Sequence, residues 1–222
     1  MKISNDSDYH KKCILICAGE LDTGKQHIER CGNDIVIAVD GGYDYCRELG
    51  IVPDILIGDL DSIRDTDSLK DMGCEVLRLP REKDDTDTIA AIRKGIELGC
   101  DEFILYGAMG GRIDHYFANI QALLFIKRHG ANGRMLGSFG EIFIIENEIV
   151  SLGCRESGTV SLFVMGDIAE GVTITGLYYE VHGVELTNDY PIGISNEFCG
   201  REACISIEDG VLVCMISAGD SR

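Results

Sequence analysis

The sequence predicts an α/β N-terminal domain built on a mostly parallel sheet, followed by an all-β sandwich C-terminal domain. Through the first 130 or so residues, short β-branched runs alternate with longer amphipathic segments, the rhythm of βα units. Beyond about residue 133, glycine recurs between alternating apolar runs and helical periodicity disappears. The 222 residues are 45% hydrophobic, enough to bury a core without disulfides.

CILICAG (13–19), DIVIAVD (34–40), DILIG (54–58), CEVLRL (74–79) and EFILYGA (102–108) read as strands, each bounded by Gly, Pro or Asp. Helices are expected at about 24–31, 41–49, 63–72, 86–98 and 113–129. The fourth puts Ile89, Ile92 and Ile96 on one face, with Asp85 or Thr86 as N-cap and Gly99 as stop. The fifth ends in Lys127, Arg128 and His129, which complement the negative end of its dipole. At ANGRMLGSFG (131–140) the character changes, dividing the chain into expected domains 1–135 and 136–222. GTVSLFVMG, GVTITGLYYE and GVLVCMIS then read as strands of the second domain.

With 20 Lys+Arg against 38 Asp+Glu, the formal charge is −18. No basic stripe is available to displace counterions from nucleic acid, and anionic membranes repel such a chain. The N-terminal segment is polar, and no uncharged stretch approaches the roughly 18 residues a bilayer span requires. A cytoplasmic protein with neither nucleic-acid nor membrane partner is expected. The ten cysteines fall mostly in apolar runs without any CxxC pair, so reduced, packed thiols are expected rather than a zinc site.

In open α/β sheets, ligands bind beyond the carboxyl ends of the strands, where loops converge and helix N-termini point. Those loops here are Asp40-Gly41-Gly42, Gly58-Asp59-Leu60-Asp61-Ser62, the stretch Pro80–Asp87, and Gly107–Arg112. They collect carboxylates without histidine or thiolate, a donor set for Mg²⁺ or Mn²⁺. Asp59 and Asp61 can turn toward one ion if their loop leaves strand geometry. Solvated turn carboxylates or N-caps are the plainer alternative, for Asp87 as well. Asp40 precedes two glycines, and Gly41 lets the backbone approach a ligand closely. Gly110, Gly111 and Arg112, opening a helix, form an anion cradle of N–H groups and a guanidinium. His115 and Lys83 are candidate phosphate contacts, or an ordinary packed or surface histidine and a solvated lysine. Carboxylate-held metal with Arg, Lys and a helix N-terminus is equipment for phosphoryl-type transfer.

Taken together, DGGYDYCRELGIVPDILIGDLDS (40–62), KDDTDT (83–88), GAMGGRIDH (107–115) and GISNEF (193–198) resemble thiamine pyrophosphokinase in order and spacing. The resemblance implies an α/β domain and a β-sandwich, and a homodimer with its active site at the subunit interface. The implied reaction moves a pyrophosphoryl group from ATP to the hydroxyl of thiamine, giving thiamine diphosphate and AMP. By motif, Asp59, Asp61 and Asp87 look like Mg²⁺ ligands with Asp40 beside them, and Asp59, Asp61, Asp87 and Arg112 look catalytic. Gly110, Gly111 and Arg112, supported by Asp114 and His115, with Gly41 and Lys83, look like the nucleotide side. Ser195 and Asn196 look like the thiamine side. Family members often place a Trp near the C-terminal strand to stack on thiamine. This chain has no Trp, leaving Phe198, Tyr178, Tyr179 and Tyr190 as candidates.

Two other readings compete. Asp59-Leu60-Asp61 also matches the DxD pattern by which nucleotide-sugar glycosyltransferases hold Mn²⁺, although residues 193–198 then go unexplained. A non-enzymatic acidic, metal-binding interaction module is the other, but the usual calcium-binding loop pattern is absent.

Overall fold

The computed structural model describes residues 10–24, 26–64, 73–80, 82 and 84–218. The chain divides into two compact units, Met1–Gly133 and Arg134–Arg222. In the first, β1 (Lys12–Ile16), β2 (Ile35–Val39), β3 (Ile55–Gly58), β4 (Glu75–Arg78) and β5 (Glu102–Tyr106) pair side by side in the order β5-β1-β2-β3-β4. Every one of these pairings is parallel. The central strands are almost wholly buried, as covering on both faces requires, and this explains their unbroken apolar runs. Each fully buried Ile or Leu, such as Ile14, Leu15, Ile37 and Leu56, contributes about 2 kcal/mol of burial. Edge strand β4 is instead mostly exposed and carries Glu75 and Arg78, charges that discourage further pairing.

Among the described residues, α1 (Gly42–Glu48) connects β2 to β3, α2 (Asp87–Glu97) lies between β4 and β5, and α3 (Ile113–Arg128) follows β5. Gly42 opens α1 directly over β1, where a Cβ would lie 1.9 Å from Ile16 O, so no other residue fits. Thr86 is the N-cap of α2, its Oγ1 accepting from Ile89 N at 3.2 Å. The buried face of α2 runs through Ala91, Ile92 and Gly95 rather than along the isoleucine row, with Ile89 and Ile96 half-buried. Gly95 is the reason: the Phe103 ring lies where its side chain would be.

The helix expected at 24–31 does not form. Residues 26–31 carry no regular structure, beginning with a turn from Gln26 N to Asp22 O at 2.9 Å. Of its eight residues only Ile28 and Cys31 are apolar, which is no stripe for a helix to bury. Of the helix expected at 63–72, residues 63 and 64 are not helical and the rest lie outside the described residues.

In the second unit all strands are antiparallel. β6 (Asn132–Gly137), which straddles the division, β7 (Gly140–Glu146), β14 (Val211–Ser217), β9 (Thr159–Val164) and β12 (Asn196–Glu197) pair in that order. The opposing sheet is β11 (Val181–Thr187), β10 (Ile168–Thr175), β13 (Glu202–Ser206) and β8 (Ile149–Cys154). One core cluster draws on both sheets, with Leu212, Cys214 and Ile216 entering from every second position of β14. The expected β-sandwich is therefore present.

All ten cysteines are free thiols. Cys13, Cys17, Cys46, Cys100 and Cys214 are buried, and burial pushes the Cys17 thiol up to about 12, too high for reactivity. Cys31, Cys154 and Cys199 are exposed, contrary to the expectation of packed thiols.

Candidate active site

The loops that leave β2 and β3 dock on each other. Asp40 N donates to Ile57 O at 2.8 Å, while the Asp40 carboxylate accepts from Leu60 N at 3.2 Å and from Ser62 Oγ at 2.6 Å. Asp40 and Leu60 both adopt left-handed backbone, with φ of 49° and 66°. For a leucine that conformation costs about 1–3 kcal/mol, offset here by burial of the side chain and by the bond to Asp40.

This turn breaks strand geometry and lets Asp59 and Asp61 face the same space. One oxygen from each of Asp40, Asp59 and Asp61 lies within 4.8 Å of the other two. Asp61 N also donates to Asp59 Oδ1 at 3.1 Å, closing the loop upon itself. Asp40 is half-buried, and its carboxyl is held above the ordinary range. Desolvation is the main cause, the charges of Asp59 and Asp87 add to it, and the bonds from Ser62 and Leu60 oppose it. Asp87, the first residue of α2, therefore acts on this group electrostatically but is not one of the clustered three. Lys83 lies outside the described residues. An all-oxygen donor set of converging carboxylates fits a hard divalent cation.

Across the same carboxyl edge, the segment after β5 turns through Gly110 and Gly111, with φ of 71° and 67°. Arg112 is the N-cap of α3, without a side-chain cap bond of its own. Its guanidinium instead grips Asp114, Nη2 to Oδ2 at 2.6 Å and Nε to Oδ1 at 3.2 Å. The pair holds the Asp114 carboxyl below its ordinary value and the guanidinium above its own. His115 sits exposed in the first turn of α3, its N–H donating to Asp114 Oδ1 at 3.0 Å.

Two residues that sequence reasoning missed complete this corner. Asn119 Nδ2 donates to Ala108 O at 2.9 Å, tying the loop to its helix. Glu20, two residues past Ala18 in the loop after β1, reaches Gly111 N with Oε1 at 3.4 Å. A Cβ on Gly110 would lie 2.5 Å from Glu20 Cδ, so the carboxyl stem rests directly on the glycine turn. No local motif announces either contact, because each joins segments distant in sequence.

In the second unit, Ser195 also takes left-handed backbone, φ 57°, and its N–H donates to Ser161 Oγ at 3.0 Å. Asn196 is buried, and both ends of its amide are engaged: Oδ1 accepts from Tyr179 N at 2.9 Å and Glu197 N at 3.0 Å, while Nδ2 donates to Tyr179 O at 2.7 Å. Asn196 thus locks the 193–198 segment to the Tyr178–Tyr179 turn. A cavity of about 360 Å³ lies beside it, lined by uncharged residues that include Leu162, Ile174, Tyr179, Val184 and Ile192. Phe198 is buried beneath the Arg155 guanidinium, 5.2 Å from its ring centre, and is not available to stack on a ligand. Tyr178 and Tyr179 are exposed and meet edge to face, with ring centres 4.9 Å apart.

Comparison with known proteins follows the same division. Residues 29–133 match the family model "Thiamin pyrophosphokinase, catalytic domain", and residues 146–212 match "Thiamin pyrophosphokinase, vitamin B1 binding domain". The chain belongs to the thiamin pyrophosphokinase family. Thiamine pyrophosphokinase of Bacillus subtilis is 28% identical over 188 residues, which cover 83% of this chain and 87% of that protein. The crystal structure of the Bacillus subtilis thiamine pyrophosphokinase superposes with a TM-score of 0.83 at 24% identity, covering 95% of this chain and 100% of that one. That from Geobacillus thermodenitrificans gives 0.82 at 22% identity, with 95% and 99% covered. The Candida albicans structure gives 0.76 at 14% identity, with 94% and 90% covered. At these identities the structural likenesses bear on fold, whereas the two family models bear on membership. Members of the thiamin pyrophosphokinase family are enzymes, and the acidic cluster and the glycine cradle both fall inside the matched catalytic region. The Ser195–Asn196 segment falls inside the matched vitamin B1 region.

Proposed function

We propose that the protein transfers a pyrophosphoryl group from ATP to the hydroxyl of thiamine, yielding thiamine diphosphate and AMP. The observation that carries this reading is the convergence of Asp40, Asp59 and Asp61 within the region matched to the family's catalytic domain. Asp59 and Asp61 with Asp40, and Asp87 close by, would hold Mg²⁺. A cation bound there supplies charge neutralisation to the phosphate oxygens. Arg112, released from Asp114, grips the phosphates in a fork of two hydrogen bonds, and the N–H groups of Gly110 and Gly111 point at the same anion. The thiamine oxygen forms its bond to the β-phosphorus as the bond from that phosphorus to the α–β bridging oxygen breaks. That oxygen leaves with AMP, and a carboxylate of the same loops accepts the hydroxyl proton.

On the acceptor side, Ser195 presents its hydroxyl from a strained turn, and Asn196 shapes that turn through Tyr179. The neighbouring uncharged cavity and the exposed Tyr178 and Tyr179 offer surfaces on which an aromatic ring packs, in place of tryptophan. The working assembly in this reading is a homodimer in the cytoplasm. Exposed Tyr178, Tyr190, Ile192 and Ile194 around the segment support a covered surface there. No helix among the described residues is long and apolar enough to cross a membrane.

The test is one incubation with ATP, Mg²⁺ and thiamine, resolving nucleotides and thiamine phosphates by chromatography. AMP and thiamine diphosphate are expected in equal amounts. ADP with thiamine monophosphate would replace the reaction, and the absence of thiamine-dependent turnover would remove the substrate.

A further inference from the structure

The two positive elements of the phosphate corner are both occupied by carboxylates of the chain itself. Asp114 holds the Arg112 guanidinium, and Glu20 sits on the Gly110–Gly111 turn with Oε1 facing Gly111 N. The Asp114 contact is local, two residues away and in the first turn of the same helix. Glu20 comes from elsewhere, ninety-one positions back in the sequence, and its placement is built.

That building is visible in the backbone. Gly19 N donates to Gly107 O at 2.7 Å and Glu20 N to Met109 O at 2.8 Å, stitching the loop after β1 along the loop after β5. Tyr45 Oη donates to Gly19 O at 2.8 Å from α1, fixing the segment from its other side. A Cβ on Gly19 would meet Gly107 O at 2.5 Å, so the two loops approach as closely as backbones can. With the main chain held, only the Glu20 side chain is free to turn, and it is solvent-exposed. A carboxylate facing an N–H at the start of a helix imitates a phosphate oxygen in charge and in hydrogen-bonding role.

We propose that Glu20 is an intramolecular competitor of the substrate phosphates: its carboxylate rests in the Gly110–Gly111 cradle and must swing out before a phosphate group enters. Glu20 then sets nucleotide affinity and its dependence on salt. Phosphate binding forfeits the Glu20 contact and brings a second anion near the displaced carboxylate. This role rests on the reading of the cradle as the nucleotide's phosphate site.

Glu20→Gln separates competition from mere bracing, because the glutamine amide oxygen still accepts from Gly111 N while the charge is gone. Affinities of wild type, Glu20→Gln and Glu20→Ala are measured by calorimetry for ATP and, separately, for inorganic tripolyphosphate, with Mg²⁺ present and thiamine absent. Competition predicts that both variants bind both probes about five- to tenfold more tightly at low ionic strength, an advantage shrinking to about twofold near 0.5 M salt. If wild type and Glu20→Gln bind ATP equally while Glu20→Ala binds less tightly and melts earlier, Glu20 is a brace and the proposal falls. If neither protein binds ATP but tripolyphosphate still gains from Glu20→Gln, the competitor role stands and the nucleotide reading falls. Failure of both proteins to bind either probe overturns both.

Discussion

At the carboxyl edge of the parallel sheet, the loops after β2 and β3 gather like charges, whereas the loop after β5 pairs its cationic and N–H groups with carboxylates. The first corner is held in place by donors from Leu60 and Ser62, which offset the left-handed backbone at Asp40 and Leu60, while burial, with the charges of Asp59 and Asp87 adding to it, raises the Asp40 carboxyl. The second is already balanced: Arg112 has Asp114, and Gly111 N has Glu20. A corner of converging carboxylates gains by taking up a cation. A balanced corner takes up an anion only by exchanging one carboxylate for another acceptor, which makes its affinity adjustable by single residues.

Removing a ligand from the acidic corner is expected to have the largest effect. Asp59→Asn keeps the shape and one acceptor but loses the charge, so kcat/KM should fall by about 10³-fold or more with the melting temperature nearly unchanged. Asp61→Asn should behave alike. Near-normal turnover in both variants would show that the clustered carboxylates are not the functional centre, and the contrast between the corners would lose its meaning. At the balanced corner, Arg112→Ala should cost less, about 10²-fold in kcat/KM for ATP, since the backbone N–H groups and the helix terminus remain. Arg112→Lys should recover only part of that, because an ammonium cannot reproduce the forked contact. An Arg112→Ala enzyme with unchanged kcat/KM would mean that Asp114 keeps the guanidinium throughout.

The two corners were not equally legible in the sequence. Parallel strands buried on both faces announce themselves as unbroken apolar runs, and the rule that ligands gather at their carboxyl ends singled out Asp40, Asp59, Asp61 and Arg112. Their pairing required the fold, because Asp40 meets Leu60 and Ser62 only after β2 and β3 lie side by side. Motif reading ranked Asp87 with Asp59 and Asp61 and set Asp40 beside them, while the clustered oxygens belong to Asp40, Asp59 and Asp61. Glu20 was invisible for the same reason, since nothing near it in the sequence distinguishes it from any loop glutamate. The expected helix at 24–31 misread a polar connection as a βα unit by rhythm alone, where Ile28 and Cys31 give no face to bury. In the sandwich, Ser195 and Asn196 stood out by motif, but the sequence held no sign that the Asn196 amide is spent on Tyr179 and Glu197.

The smallest predicted effect concerns stability and separates the corners by sign. Because Asp40 is held above its ordinary value, the folded chain binds that proton more readily than the unfolded chain does. Ionised Asp40 therefore detracts from stability at neutral pH, and the penalty disappears as the pH falls through the raised folded value. Asp40→Asn keeps an acceptor for Leu60 N, tolerates the left-handed backbone, and turns its amide N–H toward Ser62 Oγ, which can accept. With chelator present at neutral pH, Asp40→Asn should melt roughly 1–3 °C above wild type, a difference that closes as the pH drops into the carboxylate range. Adding Mg²⁺ should reverse the order, because a cation that binds only the folded state stabilises the intact cluster more than the weakened one. A variant that melts below wild type in chelator would show that the Ser62 and Leu60 bonds outweigh the cost of burying the charge together with the repulsion from Asp59 and Asp87. The acidic corner would then be as balanced as its neighbour, and cation binding would have to be driven by the substrate's phosphates rather than by the protein's own charges.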